Sequence, residues 1–387
     1  MKKGLPLLYL AGLMAIFAFL LYGSAALADD PTSCDDADCH EGIADIREPT
    51  SGMYLQIGAL GGCVVCHGGD GAATVEESAH DGIFYPDPGS IWIAGDTCGQ
   101  SSCHEGYPYA LERALMNTEA GKIQGNTWAW GIPESYAVKW GNYDLDDPDG
   151  ATPALGTEAY KSYLEDLIAR FPDVFPESLQ QLPAPSVEEI LANPELAGIT
   201  YQQHDCQRCH VGVKGRSRRG DWRGMGCSAC HIPYSNEGYY EGDDPSVTVE
   251  EPGHMLRHTI MGTRETAQGL PVETCNSCHN RGKRIGTTFQ GFMEFPYGTP
   301  FDAQAENQPK LHTKQYLFVK TDLHYEWESR EENPEGRLLC QDCHTGLEMH
   351  GDGNIFGTTL AQVEIECSDC HGTPDMYPWD LPLGFGE

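Results

Sequence analysis

Basic residues are scarce in this chain. Among 387 residues there are 24 Lys and Arg against 58 Asp and Glu, a formal charge of −34. That balance excludes nucleic acid and anionic membrane surfaces as partners, because both are held by a basic face. It suits solubility, or the docking of basic redox partner proteins. Long apolar runs are missing too, except at the N-terminus. There Lys2 and Lys3 precede an apolar stretch from Leu5 to Tyr22, and Ala26-Leu27-Ala28 forms a small-residue cleavage site before Asp29. Residues 1–28 therefore read as a signal peptide. The alternative is an uncleaved anchor, since the run approaches the length of a membrane span. No cysteine stands at the cleavage point, which argues against a lipoprotein anchor. After cleavage no transmembrane span is expected, and the 359 remaining residues carry a charge of −36. The expected location is the periplasm or the cell surface, including the extracellular side.

Cysteine, by contrast, is abundant. Sixteen thiols are too many for a reduced cytosolic protein with no metal to hold. They fall into eight motifs. Six have the form C-x-x-C-H: Cys63/Cys66/His67, Cys206/Cys209/His210, Cys227/Cys230/His231, Cys275/Cys278/His279, Cys340/Cys343/His344 and Cys367/Cys370/His371. Two carry four residues between the cysteines, Cys34/Cys39/His40 and Cys98/Cys103/His104, and keep the histidine directly after the second cysteine. No cysteine is left over. C-x-x-C-H is the attachment signature of c-type haem. The two thiols add across the two vinyl groups at one edge of the porphyrin, and the adjacent imidazole becomes the proximal iron ligand. A longer spacer lets the loop bulge without moving the second cysteine and histidine. Zinc knuckles, thioredoxin-like redox pairs and a disulfide framework all leave eight invariantly placed histidines unexplained. Eight covalent haem c groups are the expected cofactors.

Seven further histidines, His80, His204, His254, His258, His312, His324 and His350, are candidate distal iron ligands. Only His80 lies in the N-terminal segment of three motifs, residues 29–105. The other six lie within residues 201–387, which hold five motifs. Distal ligands for the N-terminal irons then have to come from the C-terminal half, so residues 29–387 are expected to fold as one unit around a shared array. Fifteen histidines minus eight proximal ones leave one iron short of a second imidazole. That iron is open, or takes Lys, Met or another group. Candidate methionines are Met53, Met116, Met225, Met255, Met261, Met293, Met349 and Met376.

Residues 106–200, with no cysteine or histidine, form an insert with helical signals. Pro108 suits the first turn of a helix carrying Leu111 and Leu115 on one face. Tyr160, Tyr163, Leu164, Leu167 and Ile168 follow helical spacing, and Ser186 to Glu189 reads as a capping box. The stretch DLDDPDG at 144–150 has oxygen donors for calcium, but Pro148 and Asp149 break the EF-hand pattern, so it reads first as a solvated acidic turn. With Gly 45 and Pro 25 in the chain, long regular elements are few. The expected fold is mainly α with much irregular structure and little β. The scarce cations cluster as Arg208, Lys214, Arg216, Arg218, Arg219 and Arg223, and as Arg281, Lys283 and Arg284. They are suited to haem propionates or, alternatively, to a bound oxyanion.

CNSCHNRGKRIGTTFQG at 275–291 and DLHYEWESREENPEGRLLCQDCHTGLEMHG at 322–351 resemble octahaem cytochromes related to tetrathionate reductase, themselves akin to hydroxylamine oxidoreductase and multihaem nitrite reductases. The resemblance covers about residues 200–387 and the haem count. It implies an irregular helical fold around closely spaced, mainly bis-histidine haems. It also implies one active-site haem with a distal lysine, for which Lys122, Lys139, Lys161, Lys214 and Lys283 are candidates. The two wide motifs and the insert depart from the family pattern.

The leading expectation is electron transfer along an array of about one iron per 45 residues in respiratory or extracellular electron transfer. The alternatives are a reductase of small sulfur or nitrogen oxyanions, and a homo-oligomeric extracellular filament. Intact mass of the exported protein is expected to show loss of residues 1–28 and gain of eight haem increments. A value of seven or fewer would mean that a wide motif, at Cys34 or Cys98, is not matured.

Overall fold

The computed structural model describes residues 33–36, 38–43, 52–150, 152–153, 155–156, 158–215, 223–232, 244, 270, 272–279, 289–295, 315–325 and 338–380. Residues 1–28, read above as a signal peptide, lie outside these residues. So do His254, His258, His312, Met255, Met261, Arg216, Arg218, Arg219, Arg281, Lys283 and Arg284, together with the side chains of Met53 and Met293. Short helices joined by loops dominate, with little strand. Among the described residues no helix is long and apolar enough to cross a membrane.

The apolar core lies mostly in the segment without motifs. The longest described helix, Glu158–Arg170, buries Tyr160, Leu164 and Leu167 on the face that the helical spacing marks. Tyr163 and Ile168 pack at its edge. This face meets Phe175, Phe356 and Ala361, and the Phe175 and Phe356 rings stand edge to face at 5.9 Å. The hydroxyls of Tyr160 and Tyr163 donate to the carbonyls of Ala361 and Leu360, each at 3.2 Å. The strap 355–361 is thus pinned to the insert by apolar contact and by hydrogen bonds at once. A second cluster, of Ala120, Val138, Leu145, Leu179 and Ile355, lies under a small sheet. In that sheet β3 (Ser178–Gln181) runs parallel to β1 (Trp140–Gly141) and antiparallel to β2 (Leu145–Asp146). A separate antiparallel pair joins β4 (Phe292–Phe295) to β5 (Gln315–Phe318).

The capping box forms as read. Ser186 Oγ accepts from the Glu189 N–H, and the Glu189 carboxylate accepts from the Ser186 N–H. Pro108 lies in the first turn of the helix Tyr107–Arg113. Two expectations need correction. Leu111 and Leu115 do not share one helix, because Ala114 is extended and Leu115–Thr118 is a separate turn. The Leu115 N–H is taken by the side-chain oxygen of buried Gln362 at 3.2 Å instead of by a helical carbonyl. The 144–150 stretch is also not simply a solvated turn. Leu145 and Asp146 form β2, and Asp147 is 1% exposed with its carboxylate accepting from the Ile355 N–H at 3.1 Å. Among the described residues, no group of three Cys, His, Asp or Glu side chains is placed to hold a metal ion there or elsewhere.

Burial raises Asp147 to about 6, with Asp149 adding to the rise. A carboxyl raised in the fold favours its protonated form, so this residue weakens the fold as pH rises from about 4 to about 6. Asp147→Asn keeps an acceptor for Ile355. It is expected to raise Tm at pH 7, by a free energy on the order of 1 kcal/mol, and to give no gain at pH 4. Leu164, fully buried in the first cluster, is expected to cost about 2–5 kcal/mol as Leu164→Ala in denaturant unfolding.

Candidate functional site

Five of the six tight motifs are single turns of chain that close on themselves. The His67 N–H donates to the Cys63 carbonyl at 2.9 Å, and the His231–Cys227 and His344–Cys340 bonds repeat that distance. Cys275 to His279 and Cys367 to His371 lie inside helical turns with the same four-residue span. The wide motifs close in the same way. The His40 N–H reaches the Cys34 carbonyl at 2.9 Å, and the His104 N–H reaches the Cys98 carbonyl at 3.0 Å. The two extra residues bulge outward, and the histidine remains beside its first cysteine.

The fourth motif differs. Its Cys206 ends a wide π-type turn, and the His210 N–H bonds Gln207, at 3.3 Å, in place of Cys206. The Cys206 carbonyl instead accepts from Lys122 Nζ at 3.1 Å, and Lys122 also pairs with Glu119. Burial pushes His210 down to about 4, helped by the nearby charges of Arg223 and Lys122. Arg223 commits its forked donors to the carbonyls of Val213, Gly224, Arg208 and His210, at 2.7 to 3.1 Å. It therefore knits the loop after this motif. Lys214 pairs with Asp87 at 2.6 Å.

The motifs surround one cavity of about 2780 Å³. Pockets for a single small molecule hold about 300–1,000 Å³, so this space admits several large planar groups. Fifteen of the sixteen cysteines line it, all but Cys206. Ten of the twelve described histidines line it too, His204 and His210 being the exceptions. His204 is largely exposed beside Asp205, 3.6 Å away. Among the candidate ligands of other kinds, Lys122, Met116 and Met349 reach the cavity wall.

Neighbouring motifs touch in an order that is not chain order. His67 senses the charge of His40, and Gln100 Nε2 reaches the Val65 carbonyl at 3.5 Å. The Cys98 and Cys227 thiols share a hydrogen bond, which lowers Cys98 and raises Cys227. The Cys227 N–H reaches back to the Gly89 carbonyl at 2.8 Å. Gly226 makes this approach possible: its φ is +61°, and a Cβ there would lie 2.2 Å from the Gly89 oxygen. Cys230 lies near Cys275, which hydrogen-bonds Cys340, and Cys343 in turn neighbours Cys367 and Cys370. Numbered along the chain, the motifs run in space 1-2-3-5-6-7-8. The fourth lies beside the sixth, where the Cys278 thiol contacts the Cys209 carbonyl at 3.6 Å.

Five of the described imidazoles are held at Nδ1. Nδ1 contacts Asp244 in His40 (2.9 Å), the Tyr85 carbonyl in His67 (2.9 Å) and Glu348 in His344 (2.7 Å). It contacts Asp322 in His324 (2.8 Å) and the Gly346 carbonyl in His350 (2.7 Å). An acceptor at Nδ1 fixes the tautomer with the proton there and leaves the Nε2 lone pair for a metal, which is how ligating histidines are oriented. The Glu348 bond raises His344, whereas burial lowers His67 and His350. Sequence reasoning missed Asp244, Asp322 and Glu348. Asp244 lies 204 residues from His40 and carries no spacing signal. Asp322 and Glu348 stand two and four residues from His324 and His344, a local spacing that could have found them.

Histidines also meet in pairs. Ring centres lie 6.3 Å apart for His40 and His80, 6.0 Å for His231 and His350, and 5.8 Å for His324 and His371. Two rings per position leave room for a group that supplies the remaining ligands itself. A structural zinc would need four protein donors. No family model, no characterised protein and no solved structure matches the chain.

Proposed function

We propose that the chain is an exported octahaem c-type cytochrome that moves electrons along a row of closely spaced haems. The observation that carries this reading is the shared cavity, walled by motif after motif in direct contact. Each haem, when bound, supplies an iron that accepts and releases one electron. The chain's residues do the rest. Paired thiols at each turn hold one porphyrin edge, and the adjacent imidazole presents Nε2 to the iron. Carboxylates and carbonyls at Nδ1 fix the ring and raise its basicity as a ligand. Contacts such as Cys98 with Cys227 and Cys275 with Cys340 bring neighbouring attachment edges together, so no long gap interrupts the row. The acidic surface favours basic redox partners and gives fast, salt-sensitive encounters.

A second reading, reduction of a small sulfur or nitrogen oxyanion, is favoured by one feature. Lys122 and Arg223 place two cations by His210, in the one described motif whose turn is not closed on its first cysteine. A single experiment separates the two. Low-temperature electron paramagnetic resonance on the oxidised protein is run with nitrite, hydroxylamine, sulfite and tetrathionate titrations. Electron transfer alone is expected to leave every signal unmoved. A signal worth about one haem that shifts with one of these ions would establish the reductase, and Lys122→Met should abolish that shift.

A further inference from the structure

The three histidine pairs differ in how their rings are turned, and this difference has a spectroscopic consequence. An iron bound on both faces by imidazole, with metal–nitrogen bonds near 2.0 Å, puts the ring centres about 6 Å apart. All three pairs meet that spacing. In the His324–His371 pair the Nε2 atoms face each other at 3.5 Å, a few tenths short of the ~4 Å that two such bonds in line require. The Nδ1 atoms of His40, His324 and His350 are meanwhile occupied by Asp244, Asp322 and Gly346, so the atom left to bind metal is Nε2.

We infer that His80, His350 and His324 are the distal ligands of the first, fifth and eighth motifs, and that the fold fixes their ring planes at different mutual angles. This assignment rests on the haem reading above. The His231 and His350 rings are nearly parallel, at 12°. The His324 and His371 rings are nearly perpendicular, at 73°, and the His40 and His80 rings lie between, at 37°. Each angle has a local cause. His350 ends the helix Gly346–His350 with Nδ1 bonded one turn back, and Tyr107 stands edge-on against its ring at 4.8 Å. His324 follows Asp322 in a turn, where both its N–H and its Nδ1 bond the same carboxylate. His80 stacks on Phe84 at 4.4 Å.

Ring angle sets the splitting of the iron d orbitals. Parallel imidazole planes leave two π-type d orbitals unequal and give a rhombic low-spin spectrum. Perpendicular planes make them nearly equal and give a strongly anisotropic spectrum with one very large g value. The fifth motif is therefore a rhombic centre and the eighth a strongly anisotropic one.

The test is electron paramagnetic resonance on full-length, haem-loaded protein carrying His350→Met or His324→Met, with intact mass and optical spectra taken in parallel. His350→Met is expected to remove one rhombic signal, worth about one haem of eight, and His324→Met one large-g signal. In both variants eight haem increments remain in the mass, and one haem gains a higher reduction potential. The assignment is overturned if the two variants remove the opposite signal types, or if either changes none. His324 is half-exposed, so its variant reports on the pairing even where His350→Met misfolds. A mass without haem increments would defeat the haem reading itself, an outcome distinct from a wrong pairing.

Discussion

The hydrogen bond from a motif histidine to the carbonyl of its first cysteine is the constraint on which the arrangement depends. It closes a single turn, and that closure brings two thiols and an imidazole together without help from the rest of the chain. A short turn needs no hydrophobic core to exist. This explains how a chain rich in glycine and proline repeats the same local geometry so often. The wide motifs show how narrow the requirement is. Two extra residues are absorbed in a bulge, because only the contact between Cys34 and His40, or between Cys98 and His104, has to survive.

Packing and site are divided between different parts of the sequence. Among the described residues, the buried apolar clusters draw mostly on the insert and on residues 355–361, while cysteines from all eight motifs line the cavity. The insert is therefore a scaffold. Its longest helix grips the strap between the seventh and eighth motifs through Tyr160 and Tyr163, and Gln362, directly after that strap, binds both Leu115 and the carbonyl of Glu348. Glu348 in turn orients His344. A route of direct contacts thus runs from the apolar core to one imidazole.

Scarcity of positive charge makes its placement informative. Arg223 and Lys122 both serve the fourth motif, Arg223 by tying up loop carbonyls and Lys122 by occupying the carbonyl that other motifs close upon. Burial, helped by the same two cations, lowers His210. This motif also stands to one side of the spatial row, next to the sixth. Its departure in turn closure, charge and position marks it as chemically distinct from the other seven.

The sequence by itself determined the motifs, their number, the capping box at Ser186 and the buried face of the helix at Tyr160. These are local features, set by residues within one or two turns of each other. It did not determine that Leu111 and Leu115 fall on separate helices, because Gln362, far along the chain, takes the N–H that would have continued the first. Nor could it bury Asp147, which depends on Ile355. Which histidine faces which, the spatial order of the motifs and the angle between paired rings were decided by the tertiary structure alone. Each depends on contacts between residues far apart in the chain, such as Gly226 against Gly89 and His231 against His350, for which spacing in sequence carries no signal.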